Sequence, residues 1–489
     1  MATKYIKINH EKYGYDVLAL FQSFYPEDNH QLVFPGCREQ ITGEAEEIGF
    51  FALLNYKDGD NAPVDITFSD GSSFRYPGGQ GSDLKEGFGN YLYDILSKKT
   101  GVTLPWGTLN GVRPTKIAYK GLIEGKSDEE IEEIYLKDRK ASAEKARLAI
   151  EIAKREKSIL DKINLSDGYS LYIGIPFCPT TCLYCSFTSY PYSVYKKEVD
   201  NYLDALIKEL EFVAGMRKEN PDTIYIGGGT PTTLDAERLE RLLSKVEELF
   251  DLNKVFEFTV EAGRADSITE EKLKVLKAHK VTRISINPQT FNQETLDFIG
   301  RKASVEQFAQ VWPIARKLGF DNINMDIILG LPGENEPEVK KTIEKVLEYG
   351  PDSLTVHSLA IKRASKLASW IIQNGKSTIN NSDELMKIAS DGAKKLGLVP
   401  YYLYRQKNMS GNLENVGFSK EGKEGIYNIL IMEELQDIVA CGAGTVSKRV
   451  FYEDGTIRKL TRCENVKEVP MYCEKIDEMI DRKRKLFLE

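Results

Sequence analysis

The sequence is poor in several features that define common functional classes. Its 489 residues carry a formal net charge of -8, so the overall charge does not indicate a nucleic-acid partner. It has no run of about 18 apolar residues, so no membrane span is predicted. Residues 1–8 lack the apolar core of a signal peptide. We therefore expect a protein of the reducing cytoplasm.

Cysteine is scarce, and three of the seven cysteines are concentrated in one short stretch. Cys178, Cys182 and Cys185 have the spacing Cys-x3-Cys-x2-Cys, directly after the apolar segment 171–175. An odd local count without a secretion signal argues against disulfides. A structural zinc site is the main alternative, but it needs a fourth ligand, which the neighbouring sequence does not supply. The spacing therefore favours an iron–sulfur cluster held by three thiolates, with one iron left open. The other cysteines are scattered and are expected to be free thiols: Cys37, Cys441, Cys463 and Cys473.

Strand and helix signals alternate between about residues 166 and 360. The predicted strands are 171–175, 223–226, 256–260, 283–286, 323–329 and 353–356. The predicted helices are 197–215, 234–250, 269–279, 304–318 and 336–348. Such alternation predicts parallel strands joined by right-handed crossovers. Six units predict an α/β fold, a partial (β/α)6 barrel, whose chemistry lies at the C-terminal ends of the strands.

The flanking regions have other patterns. Residues 1–105 predict a small α+β domain, and residues 106–165 predict a helical connector that contains a capping box beginning at Ser127. Residues 361–489 predict an irregular C-terminal extension with a glycine-rich turn at 441–447 and one terminal helix from Val469 to Glu489.

Polar residues lie near the ends of several predicted strands. Gly227-Gly-Gly-Thr-Pro-Thr232 lacks the spacing of a dinucleotide loop and a Walker lysine, so a phosphate loop is not expected. Glu261 and Gln289 follow strands, Arg301 lies further along, and Asp326 falls inside an apolar strand. A buried carboxylate is costly unless it is paired or hydrogen-bonded, so a structural ion pair is one interpretation. Convergence at one barrel mouth favours the other interpretation, a ligand site.

These motifs resemble a known family. The cysteine spacing, with Tyr184 before the last cysteine, resembles the radical S-adenosylmethionine (SAM) enzymes. Tyr172-x3-Pro-Phe-Cys, Gly-Gly-Gly-Thr-Pro-Thr and Asp326-Ile-Ile-Leu-Gly-Leu-Pro resemble the oxygen-independent coproporphyrinogen III oxidase (coproporphyrinogen dehydrogenase) family over about residues 165–450. The segment 105–116 is similar to a clostridial and bacillar subgroup with a long N-terminal portion.

The resemblance implies both cofactors and a reaction. Cys178, Cys182 and Cys185 would hold a [4Fe–4S] cluster whose open iron binds S-adenosyl-L-methionine. The positions that match contacts to this cofactor are Tyr172, Gly228, Glu261 and Val446. Those that match contacts to a second SAM are Tyr184, Gly229, Thr230, Gln289, Arg301, Asp326 and Ala360. Reductive cleavage of SAM would drive hydrogen abstraction from propionates of coproporphyrinogen III, and loss of carbon dioxide would leave the vinyl groups of protoporphyrinogen IX. The electron donor would be a protein such as flavodoxin or ferredoxin.

Two features depart from the pattern of the dehydrogenase. Phe187 stands where the dehydrogenase has a fourth cysteine, and Cys-x-Phe also occurs in heme chaperones of the family. The sequence after Ser447 is short compared with the C-terminal helical domain of the dehydrogenase. A heme-binding chaperone without decarboxylase activity and an anaerobic heme-degrading radical SAM methyltransferase therefore remain alternatives. The cationic side chains expected to bind substrate propionates are Arg264, Lys362 and Arg363.

Overall fold

The chain divides into two compact units. The computed structural model describes residues 3–9, 14–26, 28–34, 51–56, 63–78, 84–362, 365–374, 379–406, 412–453 and 456–489. The first unit comprises residues 1–150 and 405–413, and the second comprises residues 151–404 and 414–489. Cys37 and Arg363 lie outside the described residues.

The first unit is built on a five-stranded sheet with the strand order β2–β1–β3–β4–β5. Its strands are β1 (Thr3–Ile8), β2 (Asn29–Val33), β3 (Ala52–Tyr56), β4 (Val64–Phe68) and β5 (Ser73–Tyr76). Strand β4 alternates as a half-buried strand should, because Val64, Ile66 and Phe68 are buried while the residues between them are partly exposed. These buried side chains form one apolar core with those of the helices α1 (Gly14–Phe24) and α2 (Leu84–Thr100).

Short helices follow in the chain. They are α3 (Lys116–Ile123), α4 (Asp128–Glu133), the π-helical turn Ile134–Asp138 and α5 (Ala143–Leu160), which spans the residue at which the two units divide. The predicted capping box is confirmed: the Glu130 N–H donates to Ser127 Oγ (3.2 Å), and the Ser127 N–H donates to Glu130 Oε2 (2.7 Å). Two donors that the helix leaves unpaired are thereby satisfied.

The second unit contains the predicted parallel sheet. The strands of this unit up to residue 358 are, in chain order, β6 (Tyr169–Ile175), β7 (Phe177–Cys178), β8 (Tyr190–Pro191), β9 (Thr223–Gly228), β10 (Glu257–Gly263), β11 (Arg283–Ile286), β12 (Ile323–Leu329) and β13 (Ser353–Ser358). Within the described residues, strands β7 and β8 pair only with each other. Strands β6, β9, β10, β11, β12 and β13 lie side by side in this order and are all parallel. The six predicted strands are therefore confirmed, and their carboxyl ends meet at one edge of the sheet.

Helices connect these strands. They are α6 (Tyr192–Tyr195), α7 (Val199–Met216), α8 (Ala236–Leu249), α9 (Glu270–Ala278), α10 (Gln293–Phe298), α11 (Val305–Lys317) and α12 (Glu336–Tyr349). Helix α8 is typical: the Asp235 side chain caps its first turn, and Leu239, Leu243 and Val246 form a buried stripe at helical spacing. Within the described residues, no helix is long and apolar enough to cross a lipid bilayer.

The chain beyond Ala360 is more regular than predicted. Its elements are α13 (Lys366–Asn374), α14 (Asp383–Lys395), β14 (Val399–Tyr404), β15 (Asn415–Ser419), α15 (Ile426–Glu433), β16 (Asp437–Cys441), β17 (Val446–Glu453), β18 (Thr456–Glu464), α16 (Val469–Glu474) and α17 (Ile476–Leu488). The expectation of irregular structure is wrong, because all five strands extend the same sheet, which has eleven strands. The prediction of a single terminal helix is also wrong, because the helix is interrupted at Lys475, between α16 and α17.

A fully buried ion pair joins this C-terminal region to the parallel sheet. Lys483 Nζ on α17 lies 2.6 Å from Glu209 Oε1 on α7, and the two side chains are 1% and 0% exposed. The carboxylate of Glu209 also accepts hydrogen bonds from Asn465 Nδ2 (2.8 Å), Tyr472 Oη (2.6 Å) and the Gly442 backbone N–H (2.7 Å). These contacts offset the cost of removing both charges from water.

We expect Lys483→Met to lower the free energy of unfolding by about 3–5 kcal/mol, because it leaves Glu209 buried without a cation. An exposed pair, Lys208 with Asp477 (2.6 Å), connects the same two helices and provides a matched control. Lys208→Met should cost less than about 1 kcal/mol. Urea titrations of both variants measure the difference, and equal losses would contradict the expectation.

Candidate cofactor site

The three cysteines of the triplet lie on one loop at the carboxyl end of β6. Cys178 and Cys182 are buried, and Cys185 is half-buried. Each sulfur lies within hydrogen-bonding distance of at least one polar side chain, in the pairs Cys178–Thr230 (3.5 Å), Cys182–Arg264 (3.8 Å) and Cys185–Ser189 (3.9 Å), and Cys182 also interacts with the Tyr184 side chain. Donors of this kind orient metal-bound thiolates and tune the metal. In the described residues, all six cysteines are free thiols.

The environment of Cys178 and Cys185 favours the protonated thiol when no metal is bound. Burial raises the pKa of Cys178 to about 11 and also raises the pKa of Cys185. A coordinated metal ion deprotonates its thiol ligands, so metal binding overcomes this effect. Among the described residues, no group of three or more His, Cys, Asp or Glu side chains has an arrangement that could hold a single metal ion. Three ligands of an iron–sulfur cluster differ from such a group because each binds its own iron.

The glycine loop (residues 227–232) packs directly against the cysteine loop (residues 177–189). The Gly229 N–H donates to Ile175 O (2.8 Å), and the Thr230 N–H donates to Phe177 O (2.8 Å). A Cβ atom on Gly229 would lie 2.6 Å from Phe177 O, so a side chain does not fit there. Gly228 has a φ of +110°, a conformation that side chains rarely adopt. The sequence requires glycine here because two backbones meet.

Tyr172 and Glu261 are connected inside the sheet by Tyr225. The Tyr172 and Tyr225 rings stack with centroids 6.0 Å apart, and Tyr225 Oη donates a hydrogen bond to Glu261 Oε1 (2.5 Å). Burial raises the pKa of Glu261 to about 7; the hydrogen bond from Tyr225 opposes the shift, and the charge of Asp326 adds to it. Glu261 therefore exchanges its proton near neutral pH.

The surroundings of Asp326 shift its pKa in the opposite direction to that of Glu261. Its Oδ1 accepts a hydrogen bond from Asn324 Nδ2 (2.7 Å), and its Oδ2 lies 3.7 Å from His357 Nε2. Burial acts to raise the pKa of Asp326, but the interactions with His357 and Asn324 outweigh it and hold this pKa below its usual value. The carboxylate of Asp326 therefore stays ionised in the pH range just below 7, in which Glu261 holds its proton.

Gln289 and Arg301 carry polar atoms that the protein leaves unpaired. Gln289 has a φ of +67°, and its strained backbone is held by hydrogen bonds with Asp326 O and the Ile328 N–H, both 2.9 Å. Gln289 Oε1 and Arg301 Nε are buried and have no hydrogen-bond partner in the described part of the chain. Backbone strain and unpaired buried polar atoms are typical of ligand sites.

The remaining predicted contacts lie around this centre. Tyr184 packs against an apolar cluster that includes Ile299 and Leu359. Ala360 lies two residues after the end of β13 and is partly exposed. Val446 begins β17 after the glycine-rich turn, where a Cβ atom on Gly444 would lie 2.8 Å from Thr188 Oγ1 in the cysteine loop.

Sequence reasoning missed Tyr225 and His357. Tyr225 contacts Glu261, and His357 contacts Asp326. A detectable signal was present, because Tyr225 stands between two isoleucines and His357 is the one ionisable residue of the strand Ser353-Leu-Thr-Val-His-Ser.

The expectation that Arg264 binds a substrate propionate is wrong. Arg264 is 3% exposed, and its Nε and Nη2 donate to the carboxylate of Asp266 (3.0 and 2.7 Å). Its Nη1 donates to Thr180 O (2.9 Å) and faces Cys182 Sγ. The guanidinium is therefore engaged by the protein itself. Lys362 is partly exposed, burial lowers its pKa, and its role in substrate binding stays a prediction.

Residues 172–346, which run from β6 into α12, match the Radical SAM superfamily. This part of the chain, with its parallel sheet and cysteine loop, is therefore a radical SAM domain.

The chain is 42% identical over 405 residues to the oxygen-independent coproporphyrinogen-III oxidase-like protein HemZ of Bacillus subtilis, covering 81% of this chain and 80% of the relative. It therefore belongs to this oxygen-independent coproporphyrinogen-III oxidase-like family. It is also 40% identical over 193 residues to the heme chaperone HemW of Lactococcus lactis, but that match covers 40% of this chain and 49% of the relative. The structure of coproporphyrinogen III oxidase (HemN) from Escherichia coli has the same fold, with 22% identity and a TM-score of 0.51 over 65% of this chain and 71% of that one.

Membership of residues 172–346 in the Radical SAM superfamily gives this chain a [4Fe–4S] cluster and S-adenosylmethionine as its cofactors. The residues of the site fit these groups. The three thiols each have a polar neighbour, and the glycine loop leaves no space for side chains beside them. Two buried polar atoms, Gln289 Oε1 and Arg301 Nε, have no hydrogen-bond partner among the described residues.

We expect the free energy of unfolding to depend on pH through Glu261. The folded pKa of about 7 lies above the usual value of 4.5, so the carboxyl favours the folded state at low pH and loses that contribution as the pH rises from about 4.5 through 7. Wild-type protein should therefore lose stability relative to Glu261→Gln between pH 5 and pH 8 in urea titrations. Glu237→Gln, at an exposed helical position, should follow the wild-type profile. Parallel profiles for wild type and Glu261→Gln would contradict the assignment.

Proposed function

We propose that this protein is a radical SAM oxidoreductase that converts propionates of coproporphyrinogen III to vinyl groups without oxygen, giving protoporphyrinogen IX. The observation that carries the proposal is the 42% identity to a protein named oxygen-independent coproporphyrinogen-III oxidase-like over four fifths of both chains. The cysteine and glycine loops at the end of the parallel sheet support it. Flavodoxin or ferredoxin is the proposed electron donor, and the reducing cytoplasm is the proposed compartment.

In this proposal, the three thiols of Cys178, Cys182 and Cys185 hold the cluster. When bound, the reduced cluster and S-adenosylmethionine supply the power to abstract a hydrogen atom from a propionate side chain. The chain's own contribution is to bind and orient the cofactors and to exclude water. Burial of two of the three cysteines serves the exclusion of water.

The polar residues at the strand ends have complementary roles in binding S-adenosylmethionine. Tyr172, Gly228, Glu261 and Val446 contact the molecule at the cluster. A second molecule is bound by Tyr184, Gly229, Thr230, Gln289, Arg301, Asp326 and Ala360. Asp326 is ionised and accepts hydrogen bonds from hydroxyl groups, whereas the planar guanidinium of Arg301 suits a carboxylate. Glu261 changes its protonation near neutral pH, so its affinity for a positively charged group rises with pH.

Heme binding without decarboxylation is the second candidate. Two observations favour it: relatives named heme chaperone HemW match at 40% and 31% identity, and Phe187 in the cysteine loop is 76% exposed. An exposed phenylalanine suits contact with a flat apolar ligand.

The test is anaerobic incubation with a reductant, S-adenosylmethionine and coproporphyrinogen III. We expect product masses that show loss of carboxyl groups, and about four irons per chain in the reconstituted protein. Cys182→Ala should lose the cluster absorption and the product, whereas Cys441→Ala, which alters a buried cysteine outside the triplet, should retain both. Stoichiometric heme binding without any decarboxylated product would reject the oxidase in favour of the chaperone.

We expect Asp326→Asn to weaken S-adenosylmethionine binding by about 1.5–3 kcal/mol, because an ionised acceptor becomes a neutral amide of the same shape. Asp321→Asn, at an exposed position just before the same strand, is the matched control and should leave affinity unchanged. Calorimetric titration of the reconstituted protein measures both. A large loss of thermal stability with unchanged affinity would assign Asp326 to the fold instead.

A further inference from the structure

Arg264 is rigidly placed between the parallel sheet and the cysteine loop. It directly follows β10, and its carbonyl accepts hydrogen bonds from the N–H (3.0 Å) and the hydroxyl (2.7 Å) of Ser267. Its side chain is 4% exposed, so the guanidinium is held in the protein interior. A buried arginine requires a counter-charge, which Asp266 provides through two hydrogen bonds.

The two ends of the guanidinium face different groups. Nε and Nη2 point to Asp266, whereas Nη1 donates to Thr180 O (2.9 Å) and lies 3.8 Å from Cys182 Sγ. Thr180 lies between the first two cysteines of the triplet, so this contact anchors the loop itself. The positive end of the Arg264–Asp266 pair is therefore the end that meets the sulfur.

The three sulfurs differ in the kind of group that they meet. Cys178 and Cys185 face neutral hydroxyl groups, those of Thr230 and Ser189. Among the described residues, Arg264 is the only cationic side chain in hydrogen-bond contact with a thiol of the triplet. Cys182 thus has the most electropositive partner.

We propose that the Arg264–Asp266 pair sets the reduction potential of the cluster by holding Arg264 Nη1 against the sulfur of Cys182. Reduction adds one negative charge to the cluster, and hydrogen bonds to its sulfurs and nearby positive charge stabilise the reduced form. Asp266 weakens this effect by its own charge while it fixes the direction of the guanidinium. Arg264 is thus a positioning residue that acts through Cys182. The inference rests on the proposed function, because it requires the triplet to hold the cluster.

The test is a redox titration of reconstituted protein followed by electron paramagnetic resonance, in the absence of substrate. For Arg264→Gln we expect the equilibrium constant for one-electron reduction to fall about tenfold, which is about 59 mV towards more negative potential. Asp266→Asn keeps the arginine and removes the counter-charge, so its potential should move in the opposite direction. A residue that only maintained the loop would change cluster content without shifts of opposite sign.

Arg316→Gln is the matched control. Arg316, on α11, also pairs with an aspartate, Asp352 (2.6 Å), but Asp352 directly precedes the amino end of β13, at the opposite edge of the sheet from the cysteine loop. This variant should keep the wild-type potential.

The possible outcomes separate the two proposals. Wild-type potentials in both Arg264→Gln and Asp266→Asn, each with a cluster bound, would overturn the inference and leave the proposed function intact. If the Arg264→Gln protein holds no cluster, the reduction potential of the Asp266→Asn protein alone decides the inference. A potential of Asp266→Asn that is unshifted or more negative than that of the wild type overturns it. Wild-type protein that holds no cluster would overturn the proposed function, and this inference with it.

Discussion

The contact between two stretches of backbone is the constraint on which the rest of the site depends. The glycine loop after β9 donates two N–H groups to the carbonyls of Ile175 and Phe177, immediately before the first cysteine. Because no Cβ atom fits at Gly229, this approach is possible with glycine and no other residue. The position of the cysteine loop relative to the strand ends is therefore fixed by the main chain. The side chains of Arg264 and Thr230 then contact individual sulfurs, those of Cys182 and Cys178.

The same sheet interior holds two carboxyl groups in different protonation states. Glu261 meets a tyrosine hydroxyl and a negative neighbour, so burial dominates and the carboxyl keeps its proton up to about pH 7. Asp326 meets an amide and an imidazole, which stabilise its charge. Local partners, rather than depth, decide which group carries the charge. One site can thus present an ionised acceptor beside a group that exchanges protons near neutrality.

Much of this architecture could be predicted from local sequence. The apolar, β-branched runs that become β6 and β12 are readable because a strand buried on both faces needs no polar alternation. The capping box at Ser127 is equally local. Strands β15 and β16 were missed because they join the sheet through partners distant in sequence, β13 and β6, and no repeating pattern signals that choice. The role of Arg264 was misread for a different reason: its position after a strand suggested the barrel mouth, but Asp266 and the carbonyl of Thr180 engage its donors.

The ion pair between Glu209 and Lys483 links residues that are 274 positions apart. A chain is synthesised from its N-terminus, so Glu209 and the cysteine loop leave the ribosome long before Lys483 exists. Until then the carboxylate that accepts the hydrogen bond of the Gly442 N–H has no Lys483 cation beside it. The buried network around Glu209 is therefore complete only after the C-terminal helix has been translated.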